Sequence, residues 1–274
     1  MNSPTWQSKD IPPGTPISTS GWLRVAIKGF LLIALIAICL ILLLLLRLIE
    51  APLCGERRPV TPFITQFVCR TAFRIIGIRY RIIGKPMPGP GAVVANHSSW
   101  LDIFALNAGQ RITFVAKEEV AGWAGIGWLA KATGTVFVKR DRRESLNQIE
   151  AFKERLAVDQ RLLFFPEGTS TDGLQVLPFK PTLFAAFFAP EFTHLSLQAV
   201  TVRYEPAPSQ DRRFYGWWGN MDLAPHLLAT LAASPQGGVT VIYHPPVQID
   251  DFESRKTLAR SLEDQTRSGL TPLP

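Results

Sequence analysis

From Gly29 to Leu46 the chain carries no charged residue, and Gly-Phe-Leu-Leu-Ile-Ala-Leu-Ile-Ala-Ile-Cys-Leu-Ile followed by five leucines has no polar face. A stretch of roughly 17 to 25 such residues is long enough to cross a bilayer as a helix. A buried helix of a soluble domain would show some polar side. A cleaved signal peptide has an apolar core of roughly 7 to 15 residues followed by a small-x-small site. Neither description fits. The expectation is an anchored protein with a transmembrane helix over residues 21–50. Arg24 and Lys28 precede the run, while Arg47, Arg57, Arg58, Arg70, Arg74, Arg79 and Arg81 follow it. This asymmetry predicts a single pass through a cell inner membrane, with the C-terminal part in the cytoplasm.

Residues 1–20 are rich in Pro, Ser and Thr and read as a disordered leader. Residues 51–274 then suffice for one large domain. The chain is 47% hydrophobic with a formal charge of +7. A basic surplus beside an apolar anchor points to anionic lipid head groups or an acidic carrier protein, not to nucleic acid. Cys39, Cys54 and Cys69 show neither paired spacing nor a His/Cys cluster. No disulfide framework or metal site is indicated, in keeping with a reducing compartment.

Within 51–274, apolar segments alternate between short strands and helices. Residues 59–76 carry apolar positions at helical spacing with arginines between, which predicts an amphipathic helix, either near the membrane surface or as an ordinary surface helix. Strands are expected at 78–83, 92–95, 112–115, 136–138, 162–165, 195–202 and 238–243. Helices are expected from Leu101, over 145–158, over 182–189 and over 253–268. Alternation of this kind predicts an α/β sheet flanked by helices, with ligands at the strand ends. The Gly122-Trp123-Ala124-Gly125-Ile126-Gly127-Trp128 stretch lacks the lysine and hydroxyl of a phosphate loop, so nucleotide binding is rejected; it suits packing on lipid or a core.

Three of the expected strands run into polar tips. One ends at Asn96-His97-Ser98-Ser99-Trp100-Leu101-Asp102, one at Lys139-Arg140, and one at Pro166-Glu167-Gly168-Thr169. Histidine takes and returns a proton near neutral pH, and an aspartate five positions on can hold one ring nitrogen so that the other faces a hydroxyl.

Read together over about residues 90 to 205, these blocks resemble the glycerolipid acyltransferase family, whose members acylate lysophosphatidate and related lysolipids. Its blocks are His-x4-Asp, a glycine and apolar strand ending in arginine, and Phe-Pro-Glu-Gly-Thr. The resemblance implies a mixed sheet flanked by helices and transfer of a fatty acyl group from a thioester to a lysolipid hydroxyl. The donor would be acyl carrier protein or acyl-CoA, with no metal or cofactor. It makes His97 the base, Asp102 its orienter, Arg140 the binder of an anionic head group, and Glu167, Gly168 and Thr169 the grip on the acceptor. Lys117 matches a lysine often found in the family.

Two departures stand out. Ala199-Val200 replaces a proline-valine pair in the fourth block. Ser170 stands where relatives acting on lysophosphatidate usually have arginine, and Asp172 adds a negative charge. This disfavours a phosphate-bearing acceptor and favours lyso-ornithine lipid, whose head group has a carboxylate and an amine; lysophosphatidate is the alternative. An esterase using Ser98 or Ser99 lacks a G-x-S-x-G elbow, and a silent lipid-binding module has no need of His97 with Asp102.

Overall fold

A computed structural model describes residues 6–8, 12, 16–123, 125–138 and 145–271. Helix α1 (Thr19–Cys54) contains the apolar run, and α2 (Thr61–Ile76) packs beside it. Strands β1 (Arg79–Ile83) and β2 (Gly91–Ala95) lead to α3 (Asp102–Gly109). Then come β3 (Thr113–Lys117), α4 (Ile126–Thr133), β4 (Val136–Val138), α5 (Ser145–Leu156) and β5 (Arg161–Phe164). The chain continues with β6 (Ser196–Glu205), α6 (Leu223–Ala232), β7 (Gly238–Tyr243), β8 (Val247–Gln248) and α7 (Arg255–Ser268). The expected helix over 182–189 is a 3-10 segment, Pro181–Phe188. Helix α6 adds to the expected elements, because Pro225 and His226 interrupt its apolar pattern, and α4 falls on the glycine- and tryptophan-rich stretch.

The sheet runs β1-β7-β6-β2-β5-β3-β4, with β8 added on β6. Strand β2 lies between β5 and β6, parallel to both, and is buried throughout. Burial on both faces is why its sequence reads as a continuous apolar run. Alternate side chains serve two cores: Ala92 and Val94 face the side of α5 and α7, whereas Val93 and Ala95 face α2 and α3.

Strand β6 outruns β2. The Asn96 side chain continues the ladder: Nδ2 donates to Val202 O at 2.9 Å, and Oδ1 accepts from Val202 N at 2.7 Å. The His97 tip therefore starts from a fixed point on the central sheet, and the antiparallel β7 pairs with the far half of β6.

Both ends of α1 touch the domain. Near its start, Arg24 Nε donates to Ala232 O at 2.6 Å and Lys28 Nζ to Ile76 O at 2.7 Å. At its far end the buried Glu50 accepts from Val60 N, Thr61 N and Thr61 Oγ1, and Arg58 beyond it donates to Ala132 O. The face turned away from the domain exposes Phe30, Ile33, Leu45, Leu48 and Leu53, joined by Phe63 and Phe67 of α2. The helix is long and apolar enough to cross a membrane. Length and polarity do not determine what its ends pack on, and here both pack on one domain.

Candidate active site

Strands β2 and β5 run parallel, so the segments following Ala95 and Phe164 emerge at the same sheet edge. Two bonds join these segments: His97 N donates to Glu167 Oε1 at 2.7 Å, and Thr171 N donates to His97 O at 2.9 Å. Within the second segment, Gly168 N closes a turn on Phe165 O at 3.0 Å. Gly168 has φ of 72°, a left-handed conformation that suits glycine. The Phe165 ring stacks on the His97 imidazole at a centroid distance of 4.1 Å.

Asp102 opens α3, where the helix dipole favours a negative charge. Its Oδ2 lies 2.8 Å from His97 Nδ1 and also accepts the backbone N–H groups of Ser98 and Ser99 at 2.7 and 2.9 Å. Its Oδ1 accepts from the Tyr204 hydroxyl at 2.7 Å. A carboxylate so surrounded is an acceptor at every contact, so His97 Nδ1 donates to it and Nε2 is left as an acceptor, able to take a proton. Asp102 is fully buried while the His97 side chain is 22% exposed. Burial pushes the Tyr204 hydroxyl far above the ordinary tyrosine range, helped by the Asp102 charge, so it stays a donor.

Glu167 is buried, and Oε2 accepts from Leu177 N at 2.7 Å while Oε1 accepts from His97 N. Through these two bonds its carboxyl braces the loops. Burial pushes it up to about 8, against the pull of those two N–H groups. Thr169 is half-buried at the rim. Ser98 and Ser99 are fully buried, with their Oγ atoms on Asn96 Nδ2 and Leu101 N, which leaves neither poised as a nucleophile. Arg140 lies outside the described residues.

An acyltransferase family model matches residues 80–202. A lyso-ornithine lipid O-acyltransferase of Rhodobacter capsulatus is 50% identical over 98% of both chains. The chain belongs to the acyltransferase family. A second lyso-ornithine lipid O-acyltransferase, from Brucella abortus, is 34% identical over 76% of this chain and 81% of its own. The crystal structure of the 1-acyl-sn-glycerophosphate acyltransferase of Thermotoga maritima shares the fold, with a TM-score of 0.62 at 22% identity over 91% of this chain and 94% of that one.

In this acyltransferase the structure brings His97, Asp102, Glu167, Gly168 and Thr169 to one edge. Sequence reasoning missed Tyr204, 102 residues from its partner. Its position at the end of the strand beside β2 was the available signal. It also missed Trp100, whose Nε1 donates to His226 Nδ1 at 2.9 Å and ties the His97 loop to α6. Burial holds His226 below the ordinary histidine range, so it is a neutral acceptor there.

Proposed function

We propose that this acyltransferase moves a fatty acyl group from a thioester, carried by acyl carrier protein or coenzyme A, to the hydroxyl of lyso-ornithine lipid. The observation that carries the acceptor is the 50% identity over 98% of both chains with the R. capsulatus enzyme of that name. The absence of arginine at Ser170, with Asp172 close by, supports it. In the reaction His97 Nε2 removes the proton from the lipid hydroxyl as its oxygen attacks the thioester carbonyl. The tetrahedral intermediate then collapses, the C–S bond breaks, and the thiol leaves with a proton. Asp102 holds the imidazolium formed on the way.

A thioester is already activated, so positioning and a base carry the chemistry. Arg140 is the group proposed to meet an anionic head group, since a guanidinium suits carboxylate or phosphate. The second reading, lysophosphatidate as acceptor, is favoured by 42% identity over 106 residues with the 1-acyl-sn-glycerol-3-phosphate acyltransferase of Neisseria meningitidis, which covers 37% of this chain.

The apolar face of α1 and α2 is proposed to sit in the cytoplasmic side of the inner membrane. Contacts from both ends of α1 to one domain favour insertion from that side over a complete crossing.

The test compares purified enzyme on the two lipids in one detergent. We expect higher kcat/KM on lyso-ornithine lipid, and Ser170→Arg should shift the ratio towards lysophosphatidate by about one to two decades, given the strength of charged hydrogen bonds. A wild-type preference for lysophosphatidate of about tenfold, roughly 1.4 kcal/mol, would overturn the acceptor assignment.

A further inference from the structure

Trp6, ahead of α1, lies against the edge that carries His97 and Thr169. Trp6 N donates to Thr169 Oγ1 at 3.3 Å. The Trp6 indole lies on Trp218 with ring centroids 6.2 Å apart and planes at 58°. The backbone passes over Gly219, where a Cβ would stand 3.5 Å from Trp6 O and 3.7 Å from Gln7 Cγ. Trp218 is itself buried, and its neighbour Trp217 donates its backbone N–H to Ser98 O at 2.8 Å. The surface that Trp6 rests on is therefore tied to the His97 loop.

The contact has a directional consequence. A threonine hydroxyl has one proton and two lone pairs. The Trp6 N–H occupies a lone pair of Thr169 Oγ1, which turns the hydroxyl proton away from the leader. The protein acceptor it meets is Ser170 O at 3.4 Å, long for a hydroxyl donor. That proton is left for an oxygen of the substrate. The half-buried indole adds a large, rigid apolar surface beside the same loop.

We propose that Trp6 is a positioning residue for the acceptor lipid: its N–H sets the Thr169 hydroxyl as a donor towards the acceptor, and its indole walls that side of the site. This rests on the reading that the 167–169 loop faces the acceptor. It also requires the leader to lie on the same side of the membrane as the catalytic domain.

The test is steady-state kinetics of the full-length enzyme in detergent, with acceptor and donor varied separately. Trp6→Ala keeps the N–H and loses the ring; Trp6→Pro loses both. Acceptor kcat/KM should fall about threefold in the first and about tenfold in the second, as expected for loss of packing and one hydrogen bond. The KM for the donor should not move, and Trp6→Phe should recover most of the loss of Trp6→Ala. In a Thr169→Val background, Trp6→Pro should add little, because the two residues act through one bond. Unchanged acceptor kinetics overturn the proposal, as does a gain in rate, an equal rise in both KM values, or a Trp6→Pro loss that adds in full to that of Thr169→Val. A wild-type enzyme that prefers lysophosphatidate overturns the acceptor assignment alone, and the Trp6 variants are then read on that lipid.

Discussion

Glu167 has both oxygens on backbone N–H groups and no solvent around it, which makes its protonation a property of the fold. An exposed glutamate titrates near 4.5, and burial pushes this one up to about 8. Between those values the folded chain holds a proton that the unfolded chain has released. The stabilisation from this group is thus complete below about pH 4.5 and declines as pH rises through 8. Thermal unfolding in detergent should show that decline in the wild type and a shallower one in Glu167→Gln. Below about pH 4.5, where the wild-type stabilisation is complete, the variant should be the less stable of the two by about 1–3 kcal/mol, because its amide nitrogen would face a backbone N–H. An identical pH slope in Glu167→Gln would contradict this assignment. The motif marks Glu167 in the sequence, whereas the backbone N–H groups of His97 and Leu177 that it braces are visible only in the fold.

At the scale of elements, β2 was readable because burial on two faces leaves an unbroken apolar run, and the polar tip after it marks where the sheet ends. The same reasoning found β5 and β7. It failed for the elements whose signal is not local. Tyr204 belongs to an ordinary-looking strand, and its role arises because β6 extends beyond β2 to reach Asp102. Residues 1–20 read as a featureless leader, since a single aromatic in a polar segment has no periodicity; at Trp6 the contact is with residues far along the chain. The apolar run of α1 was plain, whereas the packing of its two ends was not, because that depends on Ala232, Ile76 and Ala132. This arrangement carries its own prediction. With the three cysteines replaced by alanine, Gln7→Cys and Glu253→Cys, both at exposed positions, should react from the same cytoplasmic face of sealed vesicles with a membrane-impermeant maleimide. Labelling of Gln7→Cys from the opposite face would restore a full crossing.

At the scale of the molecule, the parallel centre of the sheet delivers the His97 tip and the 167–169 loop to one edge, and the same domain carries the exposed apolar face of α1 and α2. The central sheet, the bonds between the two loops and the buried Asp102 together leave one imidazole nitrogen free. The most direct measurement is ester formation by purified protein from a labelled acyl thioester and lyso-ornithine lipid, comparing wild type with His97→Ala at matched unfolding temperature. Removal of a general base should lower turnover by about 10²–10⁴-fold. A His97→Ala enzyme that forms ester at close to the wild-type rate would contradict the mechanism.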